Sequence, residues 1–133
     1  MKKIIIIIAA VVVIGAVAVI YFTMGGDKEK PEVLVEYSPG DYFTTNVKDS
    51  ATGRLLKTTI ILVVNQEGLE EMLAKENTRI RDEIIFILRG LTEEDIMAEG
   101  TQDRLRNTII TSLNRRLGID NFVEVLFNDF VMG

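Results

Sequence analysis

The residues whose types could carry acid–base, metal or nucleophilic chemistry are few: a carboxylate pair at Glu70 and Glu71, a triplet at Glu93, Glu94 and Asp95, and two serines, Ser50 and Ser112. Neighbouring positions diverge by about 100° around a helix, so adjacent carboxylates do not converge on one ion or one proton. Each cluster instead falls where a helix is expected to open, and there the positive end of the helix dipole favours negative charge. Neither serine has a base to activate it, because the chain contains no His. It also lacks Cys and Trp, which removes thiol nucleophiles, thiolate zinc sites and thiolate or imidazole haem ligation together. The run around Gly53 lacks the spacing of a phosphate-cradling loop. The expectation is a non-enzymatic protein with no catalytic, cofactor or metal residues and no small-molecule substrate.

Arginine is the other chemically distinctive residue. Arg79 and Arg81 precede the apolar segment holding Ile84, Ile87 and Leu88, and Arg104, Arg106, Arg115 and Arg116 decorate a later helix. Two readings stand. They are solvated faces paired with carboxylates, or they are contacts between subunits, where Arg is favoured over Lys.

These groups must be positioned by a sheet and helices. Pro39-Gly40 sets a turn, residues 42–47 read as a strand, and a second turn falls around residues 50–54. Residues 55–64 form a longer strand with Leu56, Thr58, Ile60, Leu62 and Val64 on one face. From Ile60 onward both of its faces are apolar, so the strand is central and covered on both sides there. Asn65 is read as the cap of a long amphipathic helix ending near Gly90, with Leu69, Leu73, Ile80, Ile84 and Leu88 among its apolar positions. Thr92 and Asp95 resemble a capping pair for a short helix, stopped at Gly100. A third helix carries Leu105, Ile109, Leu113 and Leu117 at four-residue spacing and ends at Gly118, with Ile119 closing its cap. Residues 122–127 alternate as a last strand, and Phe127 and Phe130 are expected to pack onto the sheet. The order is β-β-α-α-α-β, an α+β (α/β-like) domain with helices packed on a sheet. The long helical crossover suggests that the strands at Leu55 and Phe122 are parallel neighbours.

Before this domain, Ile4 opens and Phe22 closes a run of nineteen uncharged residues, flanked by Lys2 and Lys3 on one side and by residues 27–30, all charged, on the other. At about 1.5 Å per residue a helix of that length covers roughly 28 Å, close to the hydrocarbon thickness of a bilayer. The two lysines place the start in the cytoplasm and the rest outside. A cleaved signal ending at Ala16-Val17-Ala18 is the rival, but Val19, Ile20, Tyr21 and Phe22 continue the apolar run where such a signal would turn polar. With no charge in the span and Gly15, Ala16 and Ala18 out of phase for close helix pairing, its role is anchoring in membrane lipid. Setting Lys2 and Lys3 aside leaves 13 basic residues against 20 acidic ones outside, a net charge of −7. That balance argues against nucleic acid and anionic headgroups as partners and favours proteins. The domains are therefore 1–24, cytoplasmic start and transmembrane helix; 25–36, linker; and 37–133, folded domain. Within the linker, Val33, Leu34 and Val35 are either a short strand or an interface segment.

Taken as a set, several segments resemble the flagellar basal-body-associated FliL family. They are Tyr42-Phe43-Thr44-Thr45-Asn46-Val47, Leu55-Leu56-Lys57-Thr58-Thr59-Ile60, Ile80-Arg81-Asp82, Leu105-Arg106, Leu113-Asn114 and the ending Val125-Leu126-Phe127-Asn128-Asp129-Phe130-Val131-Met132. The resemblance implies a bacterial inner-membrane protein with a periplasmic domain like the stomatin/prohibitin (SPFH) core. It further implies a homo-oligomeric ring around the MotA/MotB stator unit that supports torque, motility and swarming, with Val33 to Val35 placed to touch the stator's periplasmic linker. The alternative is an SPFH-like single-pass scaffold or sensor unrelated to the stator. Intact-mass measurement of the mature polypeptide is expected to find a chain that still contains its apolar run. A first residue beyond Ala18 would instead show a cleaved signal.

Overall fold

The structure, a computed structural model, describes residues 33–133. The transmembrane reading at Ile4, Gly15 and Phe22 and most of the linker lie outside the described residues. Among the described residues no helix is long and apolar enough to cross a membrane.

Strand β3 (Leu55–Val64) is the centre of a four-stranded sheet, as its aliphatic and β-branched composition requires. Along one side it pairs antiparallel with β2 (Phe43–Asn46) near its start and with β1 (Val35–Tyr37) near its end. Along the other it pairs with β4 (Phe122–Met132) over almost its whole length. The face carrying Leu56, Thr58, Ile60, Leu62 and Val64 is buried throughout, as alternation predicts. The opposite face is less closed: Val63 is buried, but Ile61 is only half-buried.

Four helices follow β3: α1 (Glu70–Lys75), α2 (Asn77–Arg89), α3 (Glu93–Met97) and α4 (Thr101–Leu117). The core lies between the sheet and the inward stripes of α2 and α4, where Ile80, Ile84, Leu88, Ile109 and Leu113 meet Leu56, Ile60 and Leu62. Gly118 ends α4 in a left-handed conformation with φ 67°, and the Ile119 N–H donates back to the Asn114 carbonyl, closing the cap that the Gly-Ile pair foreshadows.

Three expectations are corrected. The described order is β-β-β-α-α-α-α-β rather than β-β-α-α-α-β, because Val35–Tyr37 pairs with the end of β3 and the helix after β3 is divided at Glu76. The strands at Leu55 and Phe122 are antiparallel rather than parallel. The chain leaves β3 at Asn65 and re-enters at Asn121, and these two residues are hydrogen-bonded to each other, backbone N–H to carbonyl at 3.1 Å and side chain to side chain at 3.0 Å. Helix α2 carries the chain away from that end and α4 brings it back, so two long helices restore the starting point and β4 must run backward along β3. Nor is the helix after β3 continuous from Asn65. That asparagine is occupied by Asn121, Gly68 takes φ 81°, and the helix begins only at Glu70. It then breaks at Glu76, whose φ −91° and ψ 6° interrupt the regular geometry. The Tyr37 hydroxyl lies beside this break, 3.2 Å from the Leu73 carbonyl.

Substitution of Ile84, fully buried in α2, by Ala is expected to destabilise the domain by about 2–5 kcal/mol in chemical denaturation. Phe86→Ala, two positions along the same helix but 76% exposed, should stay within about 0.5 kcal/mol of the parent.

Candidate interaction site

The carboxylate clusters take structural work. Glu93, Glu94 and Asp95 form the first turn of α3, and Thr92 and Asp95 make a reciprocal capping box. The Thr92 N–H donates to the Asp95 carboxylate at 3.0 Å, the Asp95 N–H donates to the Thr92 hydroxyl at 3.1 Å, and the bonds from Thr92 hold the Asp95 carboxyl below its ordinary value. Ser50 donates to Glu93 at 2.6 Å. Among the described residues no group of three or more acidic side chains is arranged to hold a metal ion.

The arginines divide into distinct roles, and the structure does not gather them into one patch. Arg81 is internal in function. Its guanidinium donates to the Pro39 carbonyl at 3.1 Å and the Tyr42 carbonyl at 3.0 Å, and it lies 4.1 Å over the Phe43 ring. Gly40 is required beside it, since a Cβ there would come within 2.4 Å of the Arg81 guanidinium and its φ is 142°. Arg116 clamps α4 to α2 through Asp82 at 3.1 Å and Glu83 at 2.8 Å, and the Glu83 hydrogen bond raises its already high pKa. Arg106 bonds Asp103 at 2.7 Å and reaches the Val125 carbonyl on β4 at 3.1 Å. Arg104 is tied to the start of its own helix through Thr101 at 3.1 Å. Arg79 makes an exposed pair with Glu76 at 3.5 Å, and Arg115 is exposed. Arg104 and Arg116 are separated along α4 by roughly 18 Å of helix rise.

At the entry to the domain, Val35 belongs to β1, opposite Val64, whereas Val33 and Leu34 precede it with about half of their surface exposed. The segment is thus partly strand and partly open apolar surface. Three residues fasten it to the helices: Tyr37 donates to the Asn77 side chain at 2.6 Å, Asn77 donates to the Pro39 carbonyl at 3.0 Å, and Arg81 shares that carbonyl. Burial raises the Tyr37 phenol above its ordinary value. Sequence reading missed Tyr37 and Asn77, since a contact across 40 positions leaves no local signature.

A second open apolar feature is Phe86, which projects from α2 beside a groove of about 630 Å³ lined by Lys48, Ile87, Arg89, Gly90 and Thr108. Its signal was available, because Phe86 falls out of phase with the stripe Ile80, Ile84, Leu88. The described domain therefore exposes apolar side chains at Val33 with Leu34 and at Phe86.

The family model for flagellar basal body-associated protein FliL matches residues 37–132. The flagellar protein FliL of Aquifex aeolicus (strain VF5) is 30% identical over 103 residues, covering 77% of this chain and 63% of that protein. This chain thus spans less than two thirds of that relative's length. With strands β2 to β4 and all four helices inside the matched region, the chain belongs to the FliL family of flagellar basal body-associated proteins.

Proposed function

We propose that this protein is a non-enzymatic inner-membrane component of the flagellar basal body. In this reading its N-terminal run from Ile4 to Phe22 crosses the bilayer once, its start lies in the cytoplasm, and its stomatin-like (SPFH) domain stands in the periplasm. Copies of the domain form a ring around the MotA/MotB stator unit and stabilise its active state, supporting torque and swarming. The observation that carries this reading is the family match across residues 37–132, nearly the whole described domain, joined to an apolar run long enough to hold that domain at a bilayer.

The physical character of the domain suits such a role. Several of its ionisable groups are engaged in caps and helix clamps, and its exposed features include Val33 and Leu34 at the membrane-proximal end and Arg115 on α4. Val33 and Leu34 are the stator-facing candidates, because an exposed apolar pair next to a fastened strand offers a fixed contact at low ordering cost.

The test is co-purification from motile cells after mild detergent extraction, with motility scored on deletion. The full chain is expected to bring down the stator proteins, and its deletion to reduce swarming. Val33→Asp combined with Leu34→Asp should lose the stator while the protein stays folded, since both side chains are exposed. Normal swarming on deletion, with no stator protein recovered, would overturn the reading in favour of a scaffold unrelated to the motor.

A further inference from the structure

The sheet ends in two edges, and the pairing inside it determines which backbone groups each edge presents. Leu55 and Gly133 exchange both hydrogen bonds at 2.9 Å, so they form a bonded pair, and bonded pairs alternate with unbonded ones along an antiparallel ladder. Counting along the register, Lys57 with Val131 and Thr59 with Asp129 bond inward, while Phe130 and Met132 turn their N–H and C=O groups away from β3. On the other side the same alternation directs Leu56 and Thr58 toward Thr45 and Phe43 of β2, which leaves the groups of Thr44 and Asn46 facing outward.

At several other points on both edges the chain covers itself. Asn114 accepts from the Phe122 N–H and donates to its carbonyl, each at 3.0 Å, and Arg106 caps the Val125 carbonyl. Arg81 caps the Tyr42 carbonyl, and the Lys48 N–H donates to the Leu91 carbonyl. The register shift at Asn128 bounds the open part of β4. Glu36 and Phe127 also turn their backbone groups outward, but each is a single position, whereas Thr44 with Asn46 and Phe130 with Met132 are consecutive outward positions, one short stretch per edge, that, among the described residues, no hydrogen bond reaches. Neither Lys nor Pro, the usual guards of a strand edge, occurs in β4. Val131, in that stretch, is 58% exposed.

We propose that β4 of one copy pairs with β2 of the next through these two stretches, so that the sheet continues from copy to copy. The occupant must be an extended strand, because only that backbone satisfies groups spaced two residues apart. A second copy fits because the stretches lie in the same rows on opposite sides of one sheet: Thr44, Lys57 and Val131 are aligned across it. Both strands run antiparallel to β3, so a head-to-tail contact between them is parallel. The outer side of β2 already takes a parallel neighbour at its end, where Lys48 bridges Thr92. Such a contact uses different surfaces on the two partners and therefore generates rings or filaments. Its few hydrogen bonds hold only where copies are concentrated, as tethering to a bilayer makes them. The proposal rests on the ring reading above and gives that ring its interface.

Thr44→Cys with Val131→Cys in the full-length chain, oxidised in native membranes, tests it. Both positions are exposed and the chain has no other cysteine. The double variant is expected to give a ladder of disulfide-linked multimers, and each single variant none. Val131→Lys should lose multimers in amine-reactive cross-linking while keeping the far-UV circular dichroism and thermal midpoint of the parent. Multimers in amine-reactive cross-linking without a disulfide ladder would overturn edge pairing and leave the ring standing. Dimers from Val131→Cys alone would overturn it in favour of a two-fold contact between β4 strands. No multimers by either method would overturn the ring reading as well.

Discussion

One face of β3 must stay dry. Leu56, Ile60, Leu62 and Val64 on that face are each at most 1% exposed, with Thr58 fully buried among them. A strand in that position needs hydrogen-bonded neighbours on both sides and an apolar layer across its face, since unpaired backbone in such surroundings is costly. β1 and β2 share one side because each is too short to cover ten residues alone, while β4 covers the other. The inward stripes of α2 and α4 supply the layer. The antiparallel return of β4 follows from the same need, because a two-helix excursion that covers the sheet once in each direction ends where it began.

The entry of the chain into the domain is constrained separately. β1 has only three residues, too few to hold an edge strand by its ladder alone, and the Tyr37, Asn77 and Arg81 contacts add the remainder. These bonds meet at the Pro39 carbonyl and at the break between α1 and α2. The segment that arrives from the N-terminal side is thereby joined to the same helix that packs on β3, and displacement of one is resisted by the other.

Charge is arranged for cohesion more than for chemistry. Arg116 bridges α4 to Asp82 and Glu83 on α2, Arg106 joins α4 to β4, and Arg81 joins α2 to the loop before β2. Each arginine satisfies carbonyls or carboxylates on a neighbouring element with its forked donors, a task that Lys performs less well. The acidic residues at helix starts act locally on caps and dipoles.

From sequence alone came the elements that depend on local pattern. The central strand and its buried face follow from period-two alternation, the Thr92 and Asp95 box from capping chemistry, and the end of α4 from Gly118 followed by Ile119. The family, too, was legible, because its segments lie in order along the chain. Tertiary structure decided what depends on distant partners: the antiparallel sense of β4, the break at Glu76, the diversion of Asn65 from helix cap to strand-end contact, and the division of the arginines between clamps and free surface. The physical reason is common to all four. Periodicity and capping are set by residues within a turn or two, whereas a pairing such as Asn65 with Asn121 or Tyr37 with Asn77 is chosen by which surfaces the packed core brings together.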